Sequence, residues 1–322
     1  MLGGVMMRSP KSFVVAVRRP DDSIAVRERA WEAYLPGLKF LRWPIFRGAL
    51  VLAESMHNGY SALKFSAEQS MPTGPEGEAP EGESSEGSAG SNAMLLTATV
   101  LMAALFIATP HLLTYGLIRL FHLGITTHNV GFHVIDGVFR IAILLGYIGA
   151  IARTEDARKL FQFHGAEHKA IWTYESEKPL TVENARGFTT LHPRCGTSFL
   201  FVVVCIAVLV HLALIPFIPP LSSNAIVNQL LLICIKLPLA FPIAGIAYEL
   251  QKVSAKASCP RWLKWLMLPG MWLQYVTTKE PTDAQLEIAL LALERALARE
   301  EGRSAVQDGV VVYPSFDLAL SA

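Results

Sequence analysis

The fold class is decided by an apolar stretch without a charged residue, from Thr197 to Ile218, which reads TSFLFVVVCIAVLVHLALIPFI. Residues 93–121, 130–152 and 226–250 form three similar blocks. A helix needs about 20 residues to cross roughly 30 Å of hydrocarbon, and each block is long enough. The sequence therefore predicts a mainly α, polytopic membrane protein with about four transmembrane helices.

The distribution of basic residues predicts how these spans are oriented. Residues 1–66 hold ten Lys or Arg, residues 153–195 hold seven, and the tail between Lys252 and Lys279 holds five. The short connections at 122–129 and 219–224 hold none. Basic residues concentrate on the cytoplasmic side of a membrane. Both termini and the central loop are therefore expected in the cytoplasm.

Two predicted segments precede the first span. Residues 1–66 are expected to form a short β-hairpin, from residues 12–19 and 24–29, followed by an amphipathic helix at 38–65. That helix is expected to lie in the cytoplasmic interface of the membrane, and a shallow insertion is the alternative. Residues 67–92 are rich in Glu, Gly, Ser and Pro, which predicts a disordered acidic linker.

The rest of the chain is expected to alternate between membrane and cytoplasm. Residues 93–152 are assigned to spans 1 and 2, and residues 197–250 to spans 3 and 4. A cytoplasmic loop at 153–196 connects the two pairs. Residues 251–322 are expected to form a cytoplasmic interfacial segment, a helix and a tail.

Local signals refine the ends of this arrangement. Pro110 predicts a kink in the first span, since proline cannot donate a helical hydrogen bond. The tryptophan-rich stretch from Trp262 to Tyr275 is too short to cross and predicts an interfacial segment. Thr282 and Gln285 have the spacing of a capping box, which predicts a helix to about Glu300. Residues 302–322 are expected to be a weakly ordered tail.

Four polar residues fall inside the predicted spans. His133, Asp136 and Arg140 are spaced three and four apart, so they share one helical face. Charge is costly in hydrocarbon, so this face must meet protein or water. The simpler interpretation is a structural Asp136–Arg140 pair, with Lys236 as a further partner of Asp136. The alternative is a transport or proton path.

The central loop carries the main candidate for chemistry, FHGAEHK at 163–169. His164 and His168 lie four residues apart, so a helix places both imidazoles on one face, where one metal ion can bridge them. With Glu167 they match H-x-x-E-H, the reversed zinc-peptidase motif. The sequence predicts a divalent metal, preferably zinc, with Glu167 as general base. Solvated surface histidines are the alternative.

Catalytic zinc sites normally have three protein ligands, so a third is required. His192 and Cys195 are the leading candidates, because Pro193 allows their turn to fold back on the loop. Glu175, Glu183 and Glu249 are further candidate ligands. Glu175 lies seven residues, or about 10 Å of helix, beyond His168 and would contribute only if the helix ended first. Arg194 is either a holder of an anionic substrate group or an interface anchor.

Several segments resemble the YqhQ-like family of bacterial membrane proteins. They are Gly4 to Pro10, Phe163 to Lys169, Leu180 to Asn184, His192 to Phe199, Pro269 to Gln274 and Thr277 to Pro281. The resemblance covers nearly the whole chain apart from the linker and the end of the tail. It implies a multi-pass protein of the bacterial inner membrane, and that family carries the label of predicted metal-dependent enzyme.

The function expected from the sequence is a metal-dependent membrane enzyme, most simply a hydrolase at the cytoplasmic leaflet. The expected partners are the lipid bilayer and a lipid-linked or membrane-peptide substrate, and nucleic acid is not expected. A scaffold or assembly factor with a structural metal is the alternative, and a transporter is the third. A closed shell of four ligands favours the scaffold, whereas three ligands with an open position favour the enzyme.

Overall fold

The computed structural model describes residues 3–31, 43–44, 46–70, 87–254, 256, 258–303 and 308–321. The strands are β1 Gly4–Arg8, β2 Ser12–Arg18, β3 Ile24–Ala30 and β4 Gly309–Tyr313. The helices are α1 Phe46–Ser70, α2 Gly87–Ala103, α3 Thr109–Leu120, α4 Val130–Ile151, α5 Glu155–Glu175, α6 Val182–Arg186, α7 Gly196–Leu214, α8 Ala225–Ser254, α9 Arg261–Thr277, α10 Asp283–Glu300 and α11 Phe316–Ser321. This mainly α architecture confirms the predicted fold class.

The predicted hairpin is the centre of an antiparallel sheet in the order β1-β2-β3-β4. Strands β2 and β3 pair around a turn in which Asp22 has a φ of 64°. The prediction of a weakly ordered tail is wrong for most of its length. Residues 309–313 pair with β3, and Tyr313 lies opposite Ile24. The strand depends on a partner nearly 290 residues earlier in the chain, so no local signal announces it.

The sheet is covered on both faces because its side chains alternate between them. Val14 and Ala16 face a core formed with α10 and with Ala166 and Ala170 of α5. The intervening Val15 and its neighbours pack against α1 instead. The sheet therefore joins α1 to α10 and to α5, the helix that carries both histidines of the H-x-x-E-H motif.

Helix α1 connects the sheet to the spans. Its C-terminal half covers the sheet, and near its N-terminus Gly48 meets α8, where a Cβ would lie 2.7 Å from the Gly245 Cα. Arg47 forms an ion pair with Glu249 of α8. The predicted interfacial helix thus has a packed face, although Phe46 and Met56 remain exposed. Residues 38–42 and 45 lie outside the described residues.

Among the described residues, four helical segments are long and apolar enough to cross a membrane: Leu96–Leu120, Val130–Ile151, Gly196–Phe217 and Ala225–Ser254. Helix α2 begins at Gly87, inside the predicted linker, whereas residues 71–86 lie outside the described residues. A π-helical turn at Ala104–Ala108 precedes Pro110. The wider π-helical turn accommodates Pro110, which has no N–H, and the span continues past this proline.

A group of six ionisable side chains, here called the membrane cluster, lies between the spans: His111, His133, Asp136, Arg140, His211 and Lys236, all buried. The Asp136 carboxylate accepts from Arg140 at 3.1 Å and from Lys236 at 3.3 Å, so both predicted pairs are present. The Lys236 ammonium also donates to His111 Nδ1 at 3.0 Å, and Arg140 lies 3.1 Å from His211 Nδ1. His133 instead reaches the Thr127 carbonyl, at 2.9 Å.

Candidate metal centre

Helix α5 positions both histidines of the H-x-x-E-H motif. Thr154 caps the helix by accepting from the Ala157 N–H at 3.3 Å. The face that carries Ala166 and Ala170 is buried in the core shared with the sheet and α10. The histidines therefore turn toward the loop that precedes α7 and the end of α9.

The structure brings His164 and His168 together with Cys195. One ligand atom from each residue lies within 4.8 Å of the other two, and among the described residues no other His, Cys, Asp or Glu group of three satisfies this criterion. His164 Nε2 is 3.2 Å from the Cys195 Sγ. We call these three candidate ligands the three-ligand group.

Backbone carbonyls orient the two imidazoles. His164 Nδ1 lies 2.9 Å from the Thr277 carbonyl, and His168 Nδ1 lies 2.5 Å from the Thr190 carbonyl. A nitrogen facing a carbonyl must carry the proton, so the lone pair of each neutral ring is assigned to Nε2. Metal-binding histidines are usually fixed in this way by a partner on the other nitrogen.

Cys195 is held at the N-terminus of α7, where it is the N-cap residue. Its carbonyl accepts from the Gln251 side chain at 2.9 Å, and its Sγ is 3.1 Å from the Thr197 Oγ1. A cysteine binds a metal ion as its thiolate. Two imidazoles and a thiolate are a ligand set that suits zinc, so the residues fit the predicted ion.

Close packing holds the segment that follows Thr277, whose carbonyl orients His164. A Cβ on Gly165 would lie 2.1 Å from the Lys279 carbonyl oxygen, so only glycine allows this approach. The Lys279 N–H also donates to the Phe161 carbonyl at 2.9 Å. Lys169 is buried and binds the Glu280 carboxylate. The segment after α9 is therefore held against α5 on both sides of the histidines.

The loop before α7 is fixed by Gln274 of α9. The Gln274 side chain accepts from the His192 N–H at 2.8 Å and donates to the His192 carbonyl at 2.8 Å and the Ser198 hydroxyl at 2.6 Å. The Trp172 indole donates to the Leu191 carbonyl at 2.8 Å. These bonds place Cys195 relative to α5.

His192, one of the two predicted third ligands, lies beside the three-ligand group and not within it. Its ring centroid is 5.6 Å from that of His168. Its Nδ1 accepts from the Arg194 N–H at 3.2 Å, and its Nε2 is 3.5 Å from the Glu175 carboxylate. Burial lowers the pKa of His192 to about 4, with a smaller contribution in the same direction from the neighbouring His168. The His192 side chain is therefore neutral, and it forms one side of the site.

The other candidate ligands lie elsewhere. Glu175 forms an ion pair with Arg194, so Arg194 anchors the loop to the end of α5. Glu183 is an exposed residue of α6. Glu249 pairs with Arg47 of α1. In the structure, Arg194 and Glu249 each have an ion-pair partner that sequence spacing alone did not reveal.

Glu167 lines a cavity of about 280 Å³ together with His164. The cavity lies between α5 and strand β1, whose residues Gly4 to Met6 form its opposite wall, and Thr197 of α7 also borders it. Burial raises the pKa of Glu167, and the neighbouring His164 opposes this effect only in part. A carboxyl with a raised pKa in a cleft can both accept and donate a proton.

Sequence reasoning missed the residues that orient the ligands. The carbonyls of Thr190 and Thr277 leave no signature in residue type, because every residue has a carbonyl. Gln274 and Gly165 have distinctive side chains, and both lie within the segments that carry the family resemblance. The two segments that contain Gly165 and Gln274 are far apart in the chain, but they meet beside the three-ligand group.

Comparison with known proteins places the chain in a family. A family model described as "Protein of unknown function (DUF1385)" matches residues 43–299. The chain is 33% identical over 298 residues to a protein of Bacillus subtilis (strain 168) described as "Uncharacterized protein YqhQ". The match covers 92% of this chain and 90% of the relative. No solved structure matches the chain. The chain therefore belongs to the DUF1385 family, as the resemblance to YqhQ-like proteins predicts.

Proposed function

We propose that this protein is a metal-dependent membrane enzyme and that it acts as a hydrolase at the membrane surface beside α5. The observation that carries the proposal is the convergence of His164 Nε2, His168 and Cys195 Sγ on one point. The basic residues of the central loop support a cytoplasmic location for this surface, by the positive-inside rule. A bacterial inner membrane and a lipid-linked or membrane-peptide substrate belong to the same proposal.

His164, His168 and Cys195 would hold a zinc ion, which supplies Lewis acidity and lowers the pKa of a bound water. The carbonyls of Thr190 and Thr277 meet Nδ1 of each imidazole and so aim Nε2 at the site. Glu167 would accept a proton from water at its carboxylate and return it to the leaving group. The cavity walls formed by β1 and Phe161 limit the access of bulk water to that carboxylate.

The number of ligands favours an enzyme over a scaffold. A structural zinc site is closed by four protein ligands, whereas a catalytic one keeps an open position. His192 is the nearest candidate for a fourth ligand, but the Arg194 N–H occupies its Nδ1 and its Nε2 lies toward Glu175. The three-ligand group also borders the cavity through His164, where a substrate group has room.

Metal analysis of the purified full-length protein tests the proposal. The wild type should hold about one zinc per chain, and His164→Ala/His168→Ala should lose it, because three-ligand sites do not tolerate the loss of two imidazoles. The matched control is His122→Ala/His128→Ala in the connection between α3 and α4, which should keep the metal. Equal metal content in the wild type and the α5 variant would refute the metal site.

Glu167→Gln separates catalysis from metal binding. The variant should keep the zinc, because Glu167 is not in the three-ligand group. It should lose the ability to restore the phenotype of a deletion strain, because an amide cannot transfer the proton. Full complementation with normal metal content would remove the catalytic role of Glu167 and favour the scaffold.

A further inference from the structure

A second cavity, of about 480 Å³, lies at the end of the spans and apart from the Glu167 cavity. Its walls include Ser198 and Val202, in the first two turns of α7, and Gln251 and Ser254, in the last turn of α8. Both helices are candidate membrane spans that begin or end here. The cavity is therefore at the depth where hydrocarbon gives way to lipid headgroups.

Helix α9 forms the outer wall of this cavity. Met267, Leu268 and Met271 line it, while the outer face of α9 exposes Trp262, Trp265, Trp272 and Tyr275, each by more than 60%. Tryptophan and tyrosine favour the headgroup region of a bilayer. The inner face is packed, since a Cβ on Gly270 would lie 3.1 Å from the Ser198 carbonyl oxygen of α7, a tight contact. An aromatic helix thus lies at the membrane surface with an apolar cavity behind it.

The charged side chains that line this cavity are all basic. Lys256 and Lys264 line it, and neither ammonium group makes an ion pair or hydrogen bond with a described residue. The chain has no acidic residue between Glu249 and Glu280, whereas five basic residues lie in that interval. The cavity therefore combines apolar walls with two ammonium groups that have no partner among the described residues, at headgroup depth.

We propose that this cavity binds one anionic phospholipid, with an acyl chain between α7 and α9 and its phosphate on Lys256 and Lys264. The volume lies within the range of small-molecule sites, roughly 300–1,000 Å³. A neutral lipid would leave both lysines without a partner, whereas a free phosphate would leave the apolar walls unfilled. The site goes beyond the proposed metal chemistry and does not depend on it.

Native mass spectrometry of the full-length protein in detergent tests this proposal with two added lipids, phosphatidylglycerol and phosphatidylcholine. The wild type should retain phosphatidylglycerol at least about tenfold better, because each basic residue near the surface contributes about 1 kcal/mol to binding an anionic lipid. Lys256→Glu/Lys264→Glu should lower phosphatidylglycerol binding by about tenfold or more. The control Lys159→Glu/Lys252→Glu makes the same charge change at exposed positions outside the cavity and should change binding less than about twofold.

A cavity-filling variant tests the position of the acyl chain independently of the two lysines. Leu268→Trp should reduce the retention of both lipids, since the added ring occupies the space for the acyl chain. Thermal unfolding, measured on each variant, shows whether the fold is intact. Equal loss of phosphatidylglycerol in the two charge variants would overturn the proposal. Unchanged binding in Leu268→Trp, or displacement of the lipid by millimolar inorganic phosphate, would also overturn it.

Discussion

The protein contains two clusters of histidine and charged side chains that differ in where their hydrogen bonds go. In the membrane cluster, Arg140 and Lys236 are met by the Asp136 carboxylate and by further side chains. In the three-ligand group, Nδ1 of each imidazole meets a backbone carbonyl. Nε2 of His164 contacts the Cys195 Sγ, and His168 lies within reach of the same point. The two cations of the first cluster share one carboxylate, although Arg140 Nε, His133 Nδ1 and His211 Nε2 have no hydrogen-bond partner among the described residues. The second cluster instead brings two imidazoles and a thiol within reach of a single ion.

This difference argues against the membrane cluster as a transport path and for a structural role. Buried charges without partners would cost several kcal/mol each, and the pairs offset that cost while fixing the register of α3, α4, α7 and α8. The convergence of two imidazoles and a thiol in the second cluster balances no buried charge and is instead the arrangement that a metal ion requires. The two clusters should therefore respond differently to substitution.

The largest expected effect is on stability, from Asp136→Asn. The substitution leaves Arg140 and Lys236 buried without the carboxylate between them, which should lower the free energy of unfolding by about 3–5 kcal/mol. Lys236→Met should cost less, because the Asp136–Arg140 pair remains balanced. Thermal unfolding in detergent measures both, and zinc per folded molecule should not change in either. A larger loss from Lys236→Met than from Asp136→Asn would contradict the structural interpretation.

The next effect is a pH dependence that arises from His192. The pKa of His192 is about 4 in the folded protein and near 6.5 when unfolded, so the unfolded chain binds more protons between these values. The contribution of neutral His192 to the free energy of unfolding is complete above pH 6.5. Acidification to pH 4 lowers that free energy by on the order of 3 kcal/mol. His192→Phe should flatten this part of the unfolding curve in metal-free protein. It should also keep zinc binding, and loss of zinc would show that His192 is a ligand.

A smaller effect is expected where packing orients a ligand. Gly165→Ala places a Cβ against the Lys279 carbonyl, and overpacking of this kind costs about 1–3 kcal/mol. Because the shift moves the neighbouring Thr277 carbonyl, zinc affinity should fall by about 10–100-fold. Gly59→Ala, in an open position on α1, is the control and should leave affinity unchanged. Competition with a zinc-chelating dye measures both variants, and equal affinities would show that the carbonyl does not orient His164.

Sequence reasoning succeeded where the signal was local. The capping box of Thr282 and Gln285 opens α10, which ends at Glu300 as predicted. Apolar length identified the four spans, and the spacing of Asp136 and Arg140 predicted their pair. These features depend on residues within one or a few turns of each other.

The features that the sequence did not reveal depend on distant partners. Strand β4 forms only against β3, and α1 gains its packed face from the sheet and α8. Spacing left His192 and Cys195 as equal candidates for the third ligand. The choice depends on bonds from Gln274 and Gln251, which lie more than 50 residues further along the chain. Residue types in the loop contain no information about those bonds.

X-ray absorption spectroscopy of the zinc-loaded full-length protein tests the central claim most directly, since it reports the ligands themselves. The structure predicts one sulfur at about 2.3 Å and two imidazole nitrogens at about 2.0–2.1 Å, with a further light atom from solvent. In Cys195→Ser the sulfur contribution should disappear while both imidazoles remain. A shell without sulfur, or one with three imidazoles, in the wild type would contradict the assignment of Cys195 as the third ligand.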